Sequence, residues 1–253
     1  MRIVVVGGSG FIGARLVARL RREGHEVVTA SRSTGVNTVT GDGLTQALAD
    51  AAAVVDVLNP PPSGVVNSEE FFRASGRNII TAALAARVQH LIVLSVVGTD
   101  RLVEGDYFRG KLLQEDIAAR SGIPCTILRA TQFFEFMQTI AEAGSARGSV
   151  RVPDTLIQPA AADDVAAELM RIATEAPLQE VTELAGPEEL PLVEVLRRVL
   201  SVTGIPRRIV ADSEARYFGI RLGRRTLLPG AGTRIAPTRL ENWLTGSGDA
   251  KLT

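Results

Sequence analysis

The sequence predicts a doubly wound α/β fold, a parallel sheet with helices on both faces, followed by a smaller C-terminal region. Three observations carry this expectation. Strand-like and helix-like segments alternate over the first 130 residues. A glycine-rich turn, Gly7 to Gly13, joins the first strand-like run to the first helical one. After residue 130 the alternation loosens into shorter, irregular elements.

Arg2 to Val6 is a short β-branched run ending in glycines, the pattern of a buried strand. Phe11 to Glu23 places Ile12, Leu16, Val17 and Leu20 at helical spacing, and Gly24 stops it. Glu26 to Ala30 is a second strand, and Val36 to Thr40 is a short third-strand candidate before Asp42. Leu44 to Ala51 reads as a helix and Ala53 to Leu58 as a strand. Asn59 to Gly64 (NPPPSG) is a loop that no helix or central strand can cross. Helices over Ser68 to Arg87 and Tyr107 to Arg120 alternate with strands at His90 to Ser95 and Pro124 to Leu128. A dinucleotide-binding core over 1–130 and a substrate-side region over 131–253, packed on it as one compact unit, follow as the expected division.

In the second region a helix is expected over Gln132 to Ala143. Strands are expected at Ser149 to Val152, Leu156 to Gln158 and Val181 to Ala185, and helices at Asp164 to Ala173 and Leu192 to Thr203. Asp163 and Asp164 read as a helix N-cap rather than a catalytic pair. Arg221 to Arg225 reads as solvated surface. The tail from Pro229 to Thr253 is rich in Gly, Pro and Thr, with Trp243 its expected buried anchor.

Composition narrows the function. Lys plus Arg equals Asp plus Glu at 28 each, so there is no global attraction to nucleic acid or anionic membrane. Apolar residues make up 45% of the chain, enough for a sizeable core. The single cysteine, Cys125, lies in an apolar run and reads as an inert core residue. It allows no disulfide within the chain, which suits a reducing cytoplasm, and no signal-peptide pattern precedes Arg2. No apolar run reaches membrane-spanning length. His25 and His90 lack metal-ligand spacing, so no metal is expected.

The turn VVVGGSGFIG spaces Gly7, Gly10 and Gly13 as G-x-x-G-x-x-G between strand and helix. Backbone without side chains can there approach a pyrophosphate at the helix N-terminus, with Ser9, Phe11 and Ile12 in the same turn. An acidic residue after the second strand would hold the ribose hydroxyls of NAD. This chain has Ser31-Arg32-Ser33 instead, which suits a 2′-phosphate and predicts NADP(H), with Arg15 as a second candidate cation. An exposed loop arginine is the plainer alternative for Arg32.

GGSGFIG, SRS, LSVVGTD at Leu94 to Asp100, YFRGK and QPAAADDVA at Gln158 to Ala166 together resemble the NmrA-like branch of the atypical short-chain dehydrogenase/reductases. The resemblance covers nearly the whole chain. It implies a Rossmann core, NAD(P) binding, and membership of a family that holds both reductases of quinones, enones and flavonoid-like compounds and redox-sensing regulators. It implies an adenine contact for Asp42, which equally suits a Gly-Asp-Gly turn, and a ribose-flanking position for Asn59. Tyr107 and Lys111 stand four apart, on one helix face. The resemblance gives them the Y-x-x-x-K roles: Lys111 on the nicotinamide ribose, Tyr107 as proton donor, with Ser95 bonding the same substrate oxygen.

Lys111 is one of two lysines, Lys251 being the other, among 28 basic residues. A chain that writes nearly every cation as Arg and keeps Lys here points to a need for a compact, tunable ammonium. Gln132 to Phe136 places Phe133, Phe134 and Phe136 after the sixth strand-like run, either as a flat apolar substrate pocket or as helix core. The expected function is thus an NADPH-preferring oxidoreductase acting on a small molecule, with a homodimer possible. The alternatives are a dinucleotide-sensing regulator and a non-redox biosynthetic enzyme.

Overall fold

The computed structural model describes residues 1–61, 67–146, 149–202 and 208–246. The end of the Asn59 to Gly64 loop, Thr203 and the last seven residues of the tail lie outside the described residues.

The elements run β1 (Arg2–Val6), α1 (Phe11–Arg22), β2 (Glu26–Ala30), α2 (Leu44–Leu48), β3 (Ala53–Asp56), α3 (Ser68–Ala85), β4 (His90–Val96), α4 (Asp106–Ala119) and β5 (Cys125–Ala130). They continue α5 (Met137–Ala143), β6 (Ser145–Ala146), β7 (Ser149–Val152), β8 (Leu156–Ile157), α6 (Ala162–Thr174), β9 (Val181–Ala185), β10 (Leu190–Pro191), α7 (Leu192–Val202), β11 (Arg208–Ala211), β12 (Arg234–Ile235) and α8 (Leu240–Thr245). The central sheet is parallel and seven-stranded, in the order β12-β9-β5-β4-β3-β1-β2, the Rossmann arrangement expected from the alternation.

The chain divides into two compact units. The first comprises Met1–Arg129 and Val165–Thr182, the second Ala130–Asp164 and Glu183–Thr253. Most of α6 therefore belongs to the first unit, a return that a single cut near residue 130 does not contain.

In the first unit β1 pairs on one side with β2 (Ile3 opposite Val27) and on the other with β3 (Ile3 opposite Ala53). The chain order reverses there, which opens a crevice at the carboxyl edge of β1 and β3. Side chains alternate across the sheet. Val4, Val6, Val54, Leu91, Val93 and Ile127 thus share one face and pack with Leu44, Leu48, Ile79, Ala83 and Ala118 of α2, α3 and α4. Right-handed crossovers assign α1 to the opposite face. Cys125 packs half-buried at the margin of this cluster, and burial pushes its thiol up, so it stays a protonated apolar side chain.

The segment Val36 to Thr40 is not a strand. Asn78 Nδ2 on α3 donates to the carbonyls of Thr38 and Val39, both at 2.9 Å, and Val39 N–H donates to Asn37 Oδ1 at 3.1 Å. Side-chain amides thus take the backbone groups that a sheet ladder would have used.

In the second unit the helix expected from Gln132 begins only at Met137. Ala160 N–H donates to Gln132 O and Phe134 N–H to Ala160 O, so 132–134 is drawn into an extended bridge with Ala160 and then a 3-10 turn at Phe134–Phe136. Trp243 is buried, its ring centroid 5.3 Å from that of Phe134, and its Nε1–H donates to Glu135 Oε1 at 3.2 Å. The Glu135 carboxylate also accepts from Ala162 N–H at the start of α6. Asp163 and Asp164 lie inside that first turn rather than at the N-cap, and Asp164 Oδ2 accepts from Thr238 N–H at 3.1 Å. Arg221, Arg224 and Arg225 are exposed and pair with Glu214, Asp154 and Glu189. β10, β11 and β12 are too short to show a period in sequence.

His90 opens β4, is 4% exposed and shares a 2.9 Å hydrogen bond with Thr126 Oγ1. Burial lowers its pKa below 6.5. The unfolded chain therefore takes up a proton before the folded one as pH falls. Stability present above 6.5 is lost as pH drops from there to the folded pKa. We expect urea midpoints at pH 7.5 and 5.5 to differ less in His90→Gln than in wild type; equal differences would place the acid sensitivity elsewhere.

Candidate cofactor site

The site residues in the first unit follow the carboxyl ends of successive strands. Gly7 follows β1, Ser31 follows β2, Asn59 lies three residues beyond β3, and Ser95 is the penultimate residue of β4. Parallel register brings these exits to one edge.

Gly7 has φ of +83°, and its N–H donates to Ala30 O at 2.9 Å. A side chain there would be strained in this left-handed conformation, and its Cβ would lie 3.2 Å from the Val57 backbone. At Gly13 a Cβ would lie 2.2 Å from Gly7 O and 2.7 Å from Gly8 Cα, so α1 can seat against the loop only without one. Gly10 is the N-cap, and no side chain caps α1. The first-turn N–H groups of an uncapped helix are available to an anion. Ser9 and Gly10 are exposed at this turn, Phe11 is half-buried and Ile12 is buried. The Arg15 guanidinium stacks 4.0 Å from the Phe11 ring centroid and donates to Phe11 O, which ties it to the turn.

After β2, Ser31 caps a 3-10 turn over Arg32–Thr34. The Ser31 and Ser33 hydroxyls lie 2.9 Å apart, and Arg32 is exposed, its guanidinium without a partner among the described residues. Asp42 is exposed between Gly41 and Gly43, and its carboxylate accepts from the Thr40 hydroxyl at 2.5 Å. Asn59 is exposed. Ser95 is 2% exposed, and its hydroxyl has no partner among the described residues.

Lys111 is buried in α4, 3% exposed. Its ammonium donates to Leu58 O at 3.1 Å, Leu94 O at 3.0 Å and Gln114 Oε1 at 3.0 Å. It also lies 4.9 Å from the Phe72 ring centroid. Burial pulls its pKa down to about 8, while Asp56 and Glu115 favour the charged form. Asp56, at the end of β3, is pushed up by burial, against hydrogen bonds from Leu58 and Gln114 and the Lys111 charge. Glu115 is held by Arg129 through two hydrogen bonds, at 2.9 and 2.7 Å. Tyr107, one turn before Lys111, is half-buried, packs edge-on against Phe108 and has its phenol pKa raised by burial.

The three phenylalanines belong to the second unit and differ in exposure. Phe134 is 1% exposed against Trp243, a core residue rather than a pocket wall. Phe133 is half-buried and Phe136 is 39% exposed, their rings 5.6 Å apart. Sequence reasoning missed Asp56, Gln114 and Asn78. A lone acid closing an apolar strand, and a glutamine three positions after the lysine on one helix, were the available signals.

A glycine cradle that a Cβ would fill, an uncapped helix start, an unpaired Arg32 and a partnerless Ser95 hydroxyl fit a nicotinamide dinucleotide. The fold and loop define a dinucleotide-binding α/β protein. The chain belongs to the NAD(P)H-binding family, whose model matches residues 7–176. MoeE5, solved in complex with UDP-glucuronic acid and NAD, has the same fold, with a TM-score of 0.74 and 21% identity over 97% of both chains. An NADPH-dependent quinone oxidoreductase (QOR2) from Escherichia coli is similar at a TM-score of 0.65 and 20% identity, over 96% of this chain and 98% of that one. The photosystem II assembly factor Ycf39 of Cyanophora paradoxa is 23% identical over 149 residues, 53% of this chain and 46% of that protein. The matches span less than half the length of the curated relatives. Among the described residues no helix is long and apolar enough to cross a membrane, and no cluster of side chains could hold a metal ion.

The cradle makes a direct prediction. Gly13→Ala should lower stability by about 1–3 kcal/mol, because the clash is with backbone that cannot rotate away. It should also weaken binding of NADPH. Thermal melts with and without the nucleotide measure both; an unchanged ligand-induced rise in Tm would remove the loop from the binding site.

Proposed function

We propose that the protein is an NADPH-preferring oxidoreductase that reduces a small carbonyl, enone or quinone. The observation that carries the cofactor preference is Arg32: an exposed guanidinium directly after β2, beside two serine hydroxyls, unpaired among the described residues. No carboxylate stands at this strand end, where one would hold NAD and repel a 2′-phosphate. The first-turn N–H groups of α1 hold the pyrophosphate, Asp42 meets the adenine edge and Asn59 flanks the ribose.

Bound nicotinamide supplies the hydride. The Ser95 hydroxyl is the donor for the substrate oxygen, and Tyr107 is the proton source. Like any phenol it is protonated at neutral pH, and burial, by raising its pKa, makes it a weaker acid. Phe133 and Phe136 are the remaining candidates for apolar substrate contact. The location is cytoplasmic. A homodimer would use the apolar groove on α4 lined by Leu112, Leu113, Ala119, Ile127 and Val181.

A second reading, a dinucleotide sensor without turnover, is favoured by Lys111. All three of its donors are engaged within the protein. The Tyr107 shift comes from burial, and no cation among the described residues lowers it. NADPH consumption on a panel of quinones, enones and aldehydes separates the readings: binding without turnover on any of them supports the sensor, as it would a non-redox enzyme, which product analysis then distinguishes.

Two variants test the roles. Arg32→Asp should weaken NADPH by about 1.5–3 kcal/mol and leave NADH nearly unchanged, since it removes a charge-assisted contact made only to the 2′-phosphate. Equal losses in titrations of both cofactors would sink this role for Arg32. Tyr107→Phe should keep NADPH affinity and lower turnover by roughly 10²–10⁴-fold. Unchanged turnover would remove the phenol from the chemistry.

A further inference from the structure

Four groups at the exit of β3 form a closed ring of hydrogen bonds. Leu58 N–H donates to Asp56 Oδ1 at 2.9 Å. Gln114 Nε2 donates to Asp56 Oδ2 at 2.8 Å. Lys111 Nζ donates to Gln114 Oε1 at 3.0 Å and to Leu58 O at 3.1 Å, which closes the ring. Its directions are forced. Lys111 can only donate and an ionised Asp56 only accept, so Gln114 must turn its oxygen to the ammonium and its nitrogen to the carboxylate. Asp56, Lys111 and Gln114 are 4%, 3% and 3% exposed, so water does not stand in for a missing partner.

The ring grips Leu58 by both backbone groups. Leu58 immediately precedes Asn59, and Leu94, the ammonium's third partner, immediately precedes Ser95. On its other side the β3 exit meets the glycine loop: a Cβ at Gly7 would lie 3.2 Å from the Val57 carbonyl and 3.3 Å from Leu58 N. The ring therefore sets the backbone against which the phosphate-binding turn rests.

We propose that Asp56 and Gln114 are positioning residues of the nucleotide site, acting through Lys111 and Leu58: with the lysine they form a directional polar ring that fixes the β3 exit against Gly7 and keeps the Lys111 ammonium charged from the core side. This rests on the dinucleotide reading above. The groups that bear on the ammonium's charge are Asp56 on β3 and Glu115 on α4, the latter already held by Arg129 on β5. Asp56 is thus the counter-charge not committed to another cation.

The directionality gives a test that conserves volume. Asp56→Asn keeps the acceptor for Leu58 N–H but places an amide nitrogen where the ring needs an acceptor. However Gln114 turns, one link then sets donor against donor. Gln114→Glu alone sets two carboxylates against each other. The double variant Asp56→Asn/Gln114→Glu restores every donor–acceptor link and returns one negative charge to the ring. Each single change should weaken NADPH binding about tenfold or more, the scale of one lost charged hydrogen bond. The double variant should recover to within about threefold of wild type.

The second readout does not need the nucleotide. With two lysines in the chain, ¹³Cε-lysine NMR yields two resonances, assigned by a Lys111→Met control. Lys111 should titrate near 8 in wild type, lower in Asp56→Asn, and at or above the wild-type midpoint in the double variant. Wild-type affinity and an unmoved Lys111 midpoint in Asp56→Asn would overturn the proposal. So would a double variant that binds no better than the single ones, since packing rather than direction would then be what the residues supply. If wild type binds neither NADPH nor NADH, the dinucleotide reading fails, and the Lys111 titration alone decides whether the ring exists.

Discussion

The ammonium of Lys111 has left water and must find its partners inside the protein, and the arrangement of the site follows from that requirement. A buried charge costs several kcal/mol to desolvate unless it is paired and hydrogen-bonded. Here the partners are a carbonyl just beyond β3, a carbonyl within the last residues of β4, one glutamine oxygen, and Asp56 behind the glutamine. An arginine could not make this set. Its planar fork needs more room and spreads its donors in one plane, whereas the ammonium directs three donors from a single atom. The near absence of lysine elsewhere in the chain is thus matched by a position that only lysine fills.

The glycine loop depends on the same region. Gly7 turns with a positive φ directly against the backbone of Val57 and Leu58, and Gly13 lets α1 close on Gly7. Apart from Ser9 the loop is glycine, held by its own Gly10 N–H to Gly7 O bond and by close packing on the strand exit behind it. The polar ring and the glycine cradle are two sides of one wall: a dry, hydrogen-bonded inner side and a bare backbone outer side where the nucleotide is proposed to bind.

The chemistry is less determined than the binding. A phenol can donate to a developing alkoxide, but burial raises the pKa of this one and no cation among the described residues draws it down. The lysine that would do so is turned into the core. This is the physical reason that turnover and sensing are both live readings of one fold. Enzymes and regulators built on one scaffold differ in such local details rather than in topology.

Much of the frame was legible from local pattern alone. The β-branched run at Arg2–Val6, the three glycines and the helical spacing of Ile12, Leu16 and Leu20 each state a requirement that neighbouring residues satisfy, and the strand–helix alternation compels a parallel sheet. Elsewhere a distant group overrode the local signal. Val36 to Thr40 has strand composition, but Asn78, 40 residues away from Thr38, takes its carbonyls. Phe134 looked like a pocket wall until Trp243 covered it. The ring was illegible for the same reason: Asp56 and Gln114 lie 58 residues apart, and only β3 and α4 in register bring them together. By itself the sequence determined the fold class and the glycine turn between β1 and α1, because these rest on residues adjacent in the chain. Only the tertiary structure decided where the lysine's charge is spent, because a buried ion is defined by neighbours that the chain order does not contain.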